Sequence, residues 1–208
     1  MWLSILIAVL VAYFLGNLNG AVCMSVLIGN EDVRTKGSGN AGLTNFIRNY
    51  GSANAIFVVL IDAGKAVLAC LAAGLLLEPY GCYLEGVVLG GAAAMLGHTF
   101  PALLGFKGGK GILSGLFIAV VADWRIALII LAVFFAAYLL TQYVSLGSVL
   151  AAIAFGIGFV VFHHDNLWVM IGGIFMGALA TFMHRSNIVR LWTGTERKTN
   201  LFAKGKDK

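Results

Sequence analysis

The chain has 208 residues, of which 60% are hydrophobic and only 11% charged, and its formal net charge is +5. Soluble domains carry about a quarter charged residues. This chain has too little polar surface to cover its apolar mass, so a soluble fold is excluded in favour of an integral membrane protein. Cys23, Cys70 and Cys82 show no C-x-x-C spacing, which argues against a disulfide framework or a thiolate metal centre.

Apolar runs of about 20 residues are long enough to cross a bilayer as helices. Seven are expected, in chain order Leu3–Ile28, Ala53–Leu77, Leu84–Phe100, Ile112–Ala122, Ile126–Leu140, Leu146–Phe162 and Leu167–Met183. The fourth and fifth are short, which leaves six spans as the rival count. The first has no basic n-region and reads as a span rather than a cleaved signal peptide. Inside it, Gly16, Asn17, Asn19 and Gly20 make a polar, close-packing stretch suited to helix–helix hydrogen bonds. In the second span, Asp62 and Lys65 lie three residues apart, on neighbouring helical positions. Ionisable groups within a span are expensive and face the protein interior, so the expected role is a structural ion pair that orients this helix. The expected fold class is an all-α polytopic bundle, one domain over residues 1–208.

The basic residues orient the bundle. With seven spans, twelve of the fourteen fall in three segments on one side, 29–52, 101–111 and 184–208. The opposite side holds Arg125 alone, among Glu78, Glu85, Asp123 and Asp165, and Lys65 lies within a span. The positive-inside rule makes the basic side cytoplasmic, with the N-terminus external and the C-terminus cytoplasmic.

The three basic segments share an unusual texture. They read "VRTKGSGNAGLTNFIRNYGS", "GHTFPALLGFKGGKGILS" and "HRSNIVRLWTGTERK". Glycine-rich backbone exposes N–H groups to an anion, and Lys or Arg supplies the countercharge. Gly37, Gly39 and Gly42 spell GxGxxG, yet they follow a membrane helix and not the strand of a βαβ unit, so dinucleotide binding is rejected. "GFKGGKG" lacks the glycine at Leu104 and the hydroxyl at Gly111 that a P-loop requires. Turn-making alone explains either loop singly, but not two cationic loops converging on one face. Of the four histidines, His163 and His164 fall with Asp165 in an external turn and read as solvated residues. His98, at the start of the second loop, reads as a hydrogen-bonding brace. His184 stands beside Arg185 and Asn187, among the anion-binding candidates.

"GSGNAGLTN", "GHTFPALLGFKGGKG" and "HRSNIVRLWTGTE" together resemble the three cytoplasmic motifs of the bacterial acyl-phosphate:glycerol-3-phosphate acyltransferases, the PlsY family. The resemblance runs in order over almost the whole chain. Leu43 stands where the family usually has alanine, "GKGILS" replaces GKG-V-A-T while Ser114 keeps a hydroxyl, and "GNLN" at 16–19 replaces G-S-I-P, removing a proline from the first span.

The resemblance implies transfer of a fatty acyl group from acyl-phosphate to the sn-1 hydroxyl of glycerol 3-phosphate, releasing lysophosphatidic acid and phosphate. It implies no cofactor and no metal. Residue by residue, Ser38, Arg48, Lys110, His184 and Asn187 match the glycerol 3-phosphate site, with Ser38, Lys110 and His184 as the catalytic group. Gly37, Gly39, Asn40, Gly42, Thr44, Asn45, Lys107, Gly108, Gly109 and Gly111 match loops expected to cradle acyl-phosphate. Asp62, Lys65, His98, Arg185 and Glu196 are expected to be structural, Glu196 by tying the tail to the basic loops. The implied location is the bacterial cytoplasmic membrane with the site at its cytoplasmic face. The implied partners are both substrates, the bilayer and an enzyme that makes acyl-phosphate, with no nucleic acid. Either His184 or the acyl-phosphate oxygen could take the hydroxyl proton. Acyltransferases that use acyl-CoA carry an H-x-x-x-x-D pair, whereas the residues five beyond His98, His163, His164 and His184 are Leu103, Trp168, Val169 and Val189. The competing class is a transporter of an organic phosphate. It predicts midplane substrate groups and broken, repeated helices, and beyond Asp62 and Lys65 the spans offer few.

Overall fold

A computed structural model of the chain describes residues 1–199. Residues 200–208 of the expected 184–208 segment lie outside the described residues. The described chain is helical: α1 Trp2–Asn17, α2 Gly20–Gly29, α3 Leu43–Tyr50, α4 Ala55–Leu77, α5 Tyr83–Thr99, α6 Ile112–Ala122, α7 Trp124–Thr141, α8 Val144–Phe162, α9 Leu167–Met183 and α10 Arg185–Trp192. Each of the seven expected apolar segments is helical. Five helical stretches are long and apolar enough to cross a membrane, or six if α9 and α10, bent by 54° at His184, count as one broken span. α6 is shorter.

The first apolar segment is not one helix. It breaks at Leu18, whose backbone is extended, and restarts at Gly20 with Asn19 as N-cap, the Asn19 side chain accepting from Val22 N at 3.0 Å. Asparagines favour such breaks because their side chains compete for backbone groups. In a bilayer the backbone groups freed by a break must find partners inside the protein. The charged pair on α4 provides them. Lys65 Nζ donates to the Leu18 carbonyl, the Gly20 N–H donates to Asp62 Oδ1 at 3.1 Å, and the two side chains pair at 2.7 Å. The cation meets the carbonyl end of α1 and the anion the N–H end of α2, the polarity that helix dipoles favour.

Asn17 and Asn19 do not bond helix to helix, as expected from sequence, but clamp loops. Asn17 Oδ1 accepts from Leu103 N at 3.0 Å, and Asn19 Nδ2 donates to the Ala41 carbonyl at 3.0 Å. The break therefore latches both glycine-rich motif loops to the bundle.

Small residues bring α1, α4 and α5 to backbone contact. A Cβ on Gly97 of α5 would strike the Tyr13 carbonyl and Gly16 of α1, so only glycine permits this approach. The other half of the bundle is filled by larger groups from α5 to α9, including Val87, Ile118, Ile126, Phe155, Phe159 and Met176. In the turn before α7, Asp123 accepts from Arg125 N at 2.9 Å, pairs with the Arg125 guanidinium at 2.7 Å and meets His163 Nε2 at 3.1 Å. The Arg125 hydrogen bonds hold the Asp123 carboxyl below its ordinary value. His163 is thus a partner that ties α8 to this turn, not the free solvated residue its position suggested; the pairing spans 40 residues of sequence.

Asn19 is buried and serves two backbone groups at once. Replacing it with alanine removes a cap and leaves the Ala41 carbonyl unpaired, a loss of about 2–4 kcal/mol. Asn19→Ala should therefore lower the melting midpoint of the detergent-solubilised protein.

Candidate active site

The first loop is built around one side chain. Gly37 and Gly39 adopt φ of +59° and +70°, a turn that glycine enters without strain. The buried carboxamide of Asn45, on α3, fills the turn. Its Oδ1 accepts from Ser38 N at 3.0 Å, and its Nδ2 donates to the carbonyls of Val33 (3.0 Å), Lys36 (3.1 Å) and Asn40 (3.0 Å). Thr44, Asn45 and Arg48 share α3, so setting Asn45 sets the helix that carries Arg48.

The second loop folds back on the end of α5. Gly108 N donates to Thr99 O at 3.2 Å and Gly109 N to His98 O at 3.0 Å. A Cβ on Gly108 would strike the His98 carbonyl. His98 belongs to α5, not to the loop, and its Nδ1 lies 2.8 Å from Lys65 Nζ. Arg34 staples the two loops: its Nη1 donates to the carbonyls of Leu104 (2.7 Å) and Lys107 (2.8 Å), while its Nη2 pairs with Asp32 at 2.7 Å. That pairing holds the Asp32 carboxyl below its ordinary value.

Both loops and α10 border one cavity of about 640 Å³, within the usual range for small-molecule sites. At its polar end stand Gly37, Ser38, Asn40, Gly42, Thr44, Asn45, Arg48, Lys110, Gly111, His184, Asn187 and Glu196, together with Asp62 and His98. Gly39, Lys65, Lys107, Gly108, Gly109 and Arg185 do not line it. Of the second-loop residues expected to form a cradle, Lys110 and Gly111 reach the cavity, whereas Gly108 and Gly109 spend their N–H groups on α5 and Lys107 is exposed. Arg185 turns outward, its guanidinium 4.5 Å from the Phe182 ring centroid. Ser114 is buried off the cavity.

His184, Asn187 and Arg190 follow at three-residue spacing around the start of α10 and so share a face. Lys110 Nζ donates to Asn187 Oδ1; Asn187 Nδ2 donates to Glu196 Oε1 at 3.3 Å, and Arg190 Nε to Glu196 Oε2 at 2.7 Å. Glu196 thus ties the tail to α10. Arg48 donates to Thr199 Oγ1. The sequence reading missed Arg190 and Arg197, which also line the cavity; for Arg190 the signal was there, three residues beyond Asn187. Ser145 and Ser148, on α8, also border it, and nothing local marked them.

The other end is apolar. Ile112, Leu113 and Leu116 of α6, Ile130, Leu131 and Phe134 of α7, Ala151 and Phe155 of α8, and Met176 of α9 form its walls. One continuous space thus joins a cationic mouth to a hydrocarbon furrow.

Charge at the polar end is unbalanced, with Arg48, Lys110, Arg190 and Arg197 against Glu196 and an Asp62 already paired with Lys65. Burial, and then the neighbouring Arg190, depress the Lys110 ammonium to about 8. Burial likewise lowers His184 to about 4. Its Nδ1 lies 2.8 Å from the Ala180 carbonyl. A carbonyl can only accept, so neutral His184 carries its proton on Nδ1 and leaves the Nε2 lone pair open.

A family model described as glycerol-3-phosphate acyltransferase matches residues 6–194. A glycerol-3-phosphate acyltransferase of Finegoldia magna is 38% identical over 197 residues, spanning 95% of this chain and 97% of its own. One of Clostridioides difficile is 37% identical over 205 residues, spanning 94% of this chain and 95% of its own. A crystal structure of PlsY (YgiH), an integral membrane glycerol 3-phosphate acyltransferase in its glycerol 3-phosphate form, is similar with a TM-score of 0.86 and 33% identity, covering 96% of this chain and 100% of that one. The lysophosphatidic acid form gives 0.82 at 33% identity, covering 95% and 96%.

The Lys110 value carries a pH dependence. Below about 8 the group is a cation, and above it the charge is lost. A phosphate monoester becomes a dianion above about pH 6. Binding of such a ligand should therefore be tightest between these values and weaken as pH rises past Lys110. Lys110→Arg, which stays charged, should abolish the alkaline limb of the affinity profile even if its geometry lowers turnover.

Proposed function

The chain belongs to the glycerol-3-phosphate acyltransferase family, and from that premise we propose that it moves a fatty acyl group from acyl-phosphate to the sn-1 hydroxyl of glycerol 3-phosphate, yielding lysophosphatidic acid and inorganic phosphate. The observation that carries this reading is one continuous cavity with a cationic end and an apolar end. One substrate is a soluble phosphate and the other a phosphate on a hydrocarbon chain, and both requirements meet there. The asymmetry of basic residues supports a bacterial cytoplasmic membrane with this mouth at the cytoplasmic face, within reach of an enzyme that supplies acyl-phosphate.

Acyl-phosphate is already an activated mixed anhydride, so the protein needs chiefly to juxtapose the substrates and neutralise charge. Arg48, Lys110 and Asn187 would hold glycerol 3-phosphate, with Ser38 at the rim of the same loop. The sn-1 oxygen attacks the acyl carbonyl carbon, forming the ester bond. The bond between that carbon and the bridging phosphate oxygen breaks. The hydroxyl proton ends on the departing phosphate, whose oxygen becomes more basic as the bond cleaves. His184, lowered to about 4, is a weak base at neutral pH. Its Nε2 lone pair suits it to accept the hydrogen bond of the attacking hydroxyl and aim it. This supports substrate-assisted proton transfer with His184 as an orienting group.

Two outcomes are expected. Purified protein should release phosphate from palmitoyl-phosphate only when glycerol 3-phosphate is added, and should make no product from palmitoyl-CoA; equal turnover of the thioester would overturn the donor assignment. His184→Gln, which can still accept at that edge, should keep appreciable activity and the parent pH profile. If His184 were the base, the rate should instead fall by roughly 100-fold or more while glycerol 3-phosphate still binds.

A further inference from the structure

The Lys65 ammonium is fully committed. Its three N–H groups meet three acceptors: Asp62 Oδ1 at 2.7 Å, the Leu18 carbonyl, and His98 Nδ1 at 2.8 Å. An ammonium has no lone pair to offer, so His98 Nδ1 must be the acceptor in its contact. A protonated His98 would set two cations against each other at that distance, in a buried site. Neutral His98 with its proton on Nε2 is the form that satisfies every group.

That N–H has a defined place. His98 borders the cavity, and its Nε2 edge packs against Gly109, the residue before Lys110. A Cβ at Gly109 would collide with Nε2, so only glycine permits this close approach. Among the described residues no protein acceptor hydrogen-bonds to Nε2. The arrangement is a buried relay, from carboxylate to ammonium to imidazole, ending in an N–H beside the residue that precedes Lys110, on a side chain that borders the cavity.

We propose that His98 contacts the acyl donor directly, its Nε2–H donating a hydrogen bond to an oxygen of acyl-phosphate and holding the reacting carbonyl beside Lys110, with Asp62 and Lys65 as positioning residues that fix the tautomer. No covalent step passes through His98, and its proton stays on the ring throughout. This rests on the acyl-phosphate reading above.

Two substitutions separate the halves of the ring. His98→Asn places an acceptor near the Nδ1 position and keeps the hold on Lys65, but has no donor at Nε2. His98→Gln places a donor near Nε2 and gives up the contact with Lys65. In detergent, at pH values where the parent is fully active, His98→Asn should lower kcat/KM for palmitoyl-phosphate by roughly tenfold or more with the KM for glycerol 3-phosphate unchanged, and His98→Gln should retain most of the parent value. A near-parental His98→Asn overturns the proposal, as does equal loss in both variants, since the relay's packing would then be all that matters. If either variant fails to fold, ¹⁵N-histidine spectra of the parent decide: the His98 signals should be those of an Nε2–H tautomer, and a hydrolysis-resistant acyl phosphonate should shift Nε2. The opposite tautomer, or no shift on saturation, overturns it. Failure of the donor reading itself would look different, because the parent would then release no phosphate from palmitoyl-phosphate.

Discussion

A lysine ammonium inside a bilayer-spanning bundle must be given acceptors for all three of its protons, or its burial is prohibitive. The acceptors of Lys65 come from three places: its own helix through Asp62, the broken first span through Leu18, and α5 through His98. Much of the active side of the molecule is organised by that requirement. The break in the first span is possible because Lys65 and Asp62 satisfy the backbone groups it frees. The break in turn frees Asn17 and Asn19 to clamp the second and first loops. The end of α5 anchors Gly108 and Gly109 and thereby sets Lys110.

This division of labour explains why so polar a site stands on so apolar a scaffold. The glycine-rich loops are not loose. Asn45 uses its whole carboxamide to bind the first loop's backbone, and Arg34 ties that loop to the second. What is left facing the cavity is a set of cations short of anions. Burial, and then the neighbouring Arg190, hold Lys110 near 8. A phosphate placed there, as proposed above, would supply the missing countercharge.

The apolar end follows a different logic. Its walls come from α6, α7, α8 and α9, packed with branched and aromatic side chains, and none of them needs to be placed to hydrogen-bond accuracy. A hydrocarbon chain is recognised by volume and dryness alone. The precise half of the site is therefore carried by loops latched to α1, α4 and α5, and the permissive half by the remaining helices.

Sequence alone determined the membrane character, the seven apolar segments and the cationic loops; Ser38, Arg48, Lys110, His184 and Asn187 were implied by the motif resemblance, and the structure brings all five to one cavity. Hydropathy and charge are local and additive, and the Asp62–Lys65 pair lies within one helical turn, so each could be read without knowing what packs on what. The tertiary structure decided what those residues do to one another. It broke the first span at Leu18, turned Asn17 and Asn19 from helix contacts into loop clamps, drew Gly108 and Gly109 off the cavity, brought Arg190 and Ser148 onto it, and joined His163 to Asp123. Apart from Arg190 and the fold-back of Gly108 and Gly109, these are outcomes of pairing between distant segments, such as the 86 residues separating Asn17 from Leu103. Such pairing depends on where helices meet, which no local pattern of hydrophobicity or charge encodes.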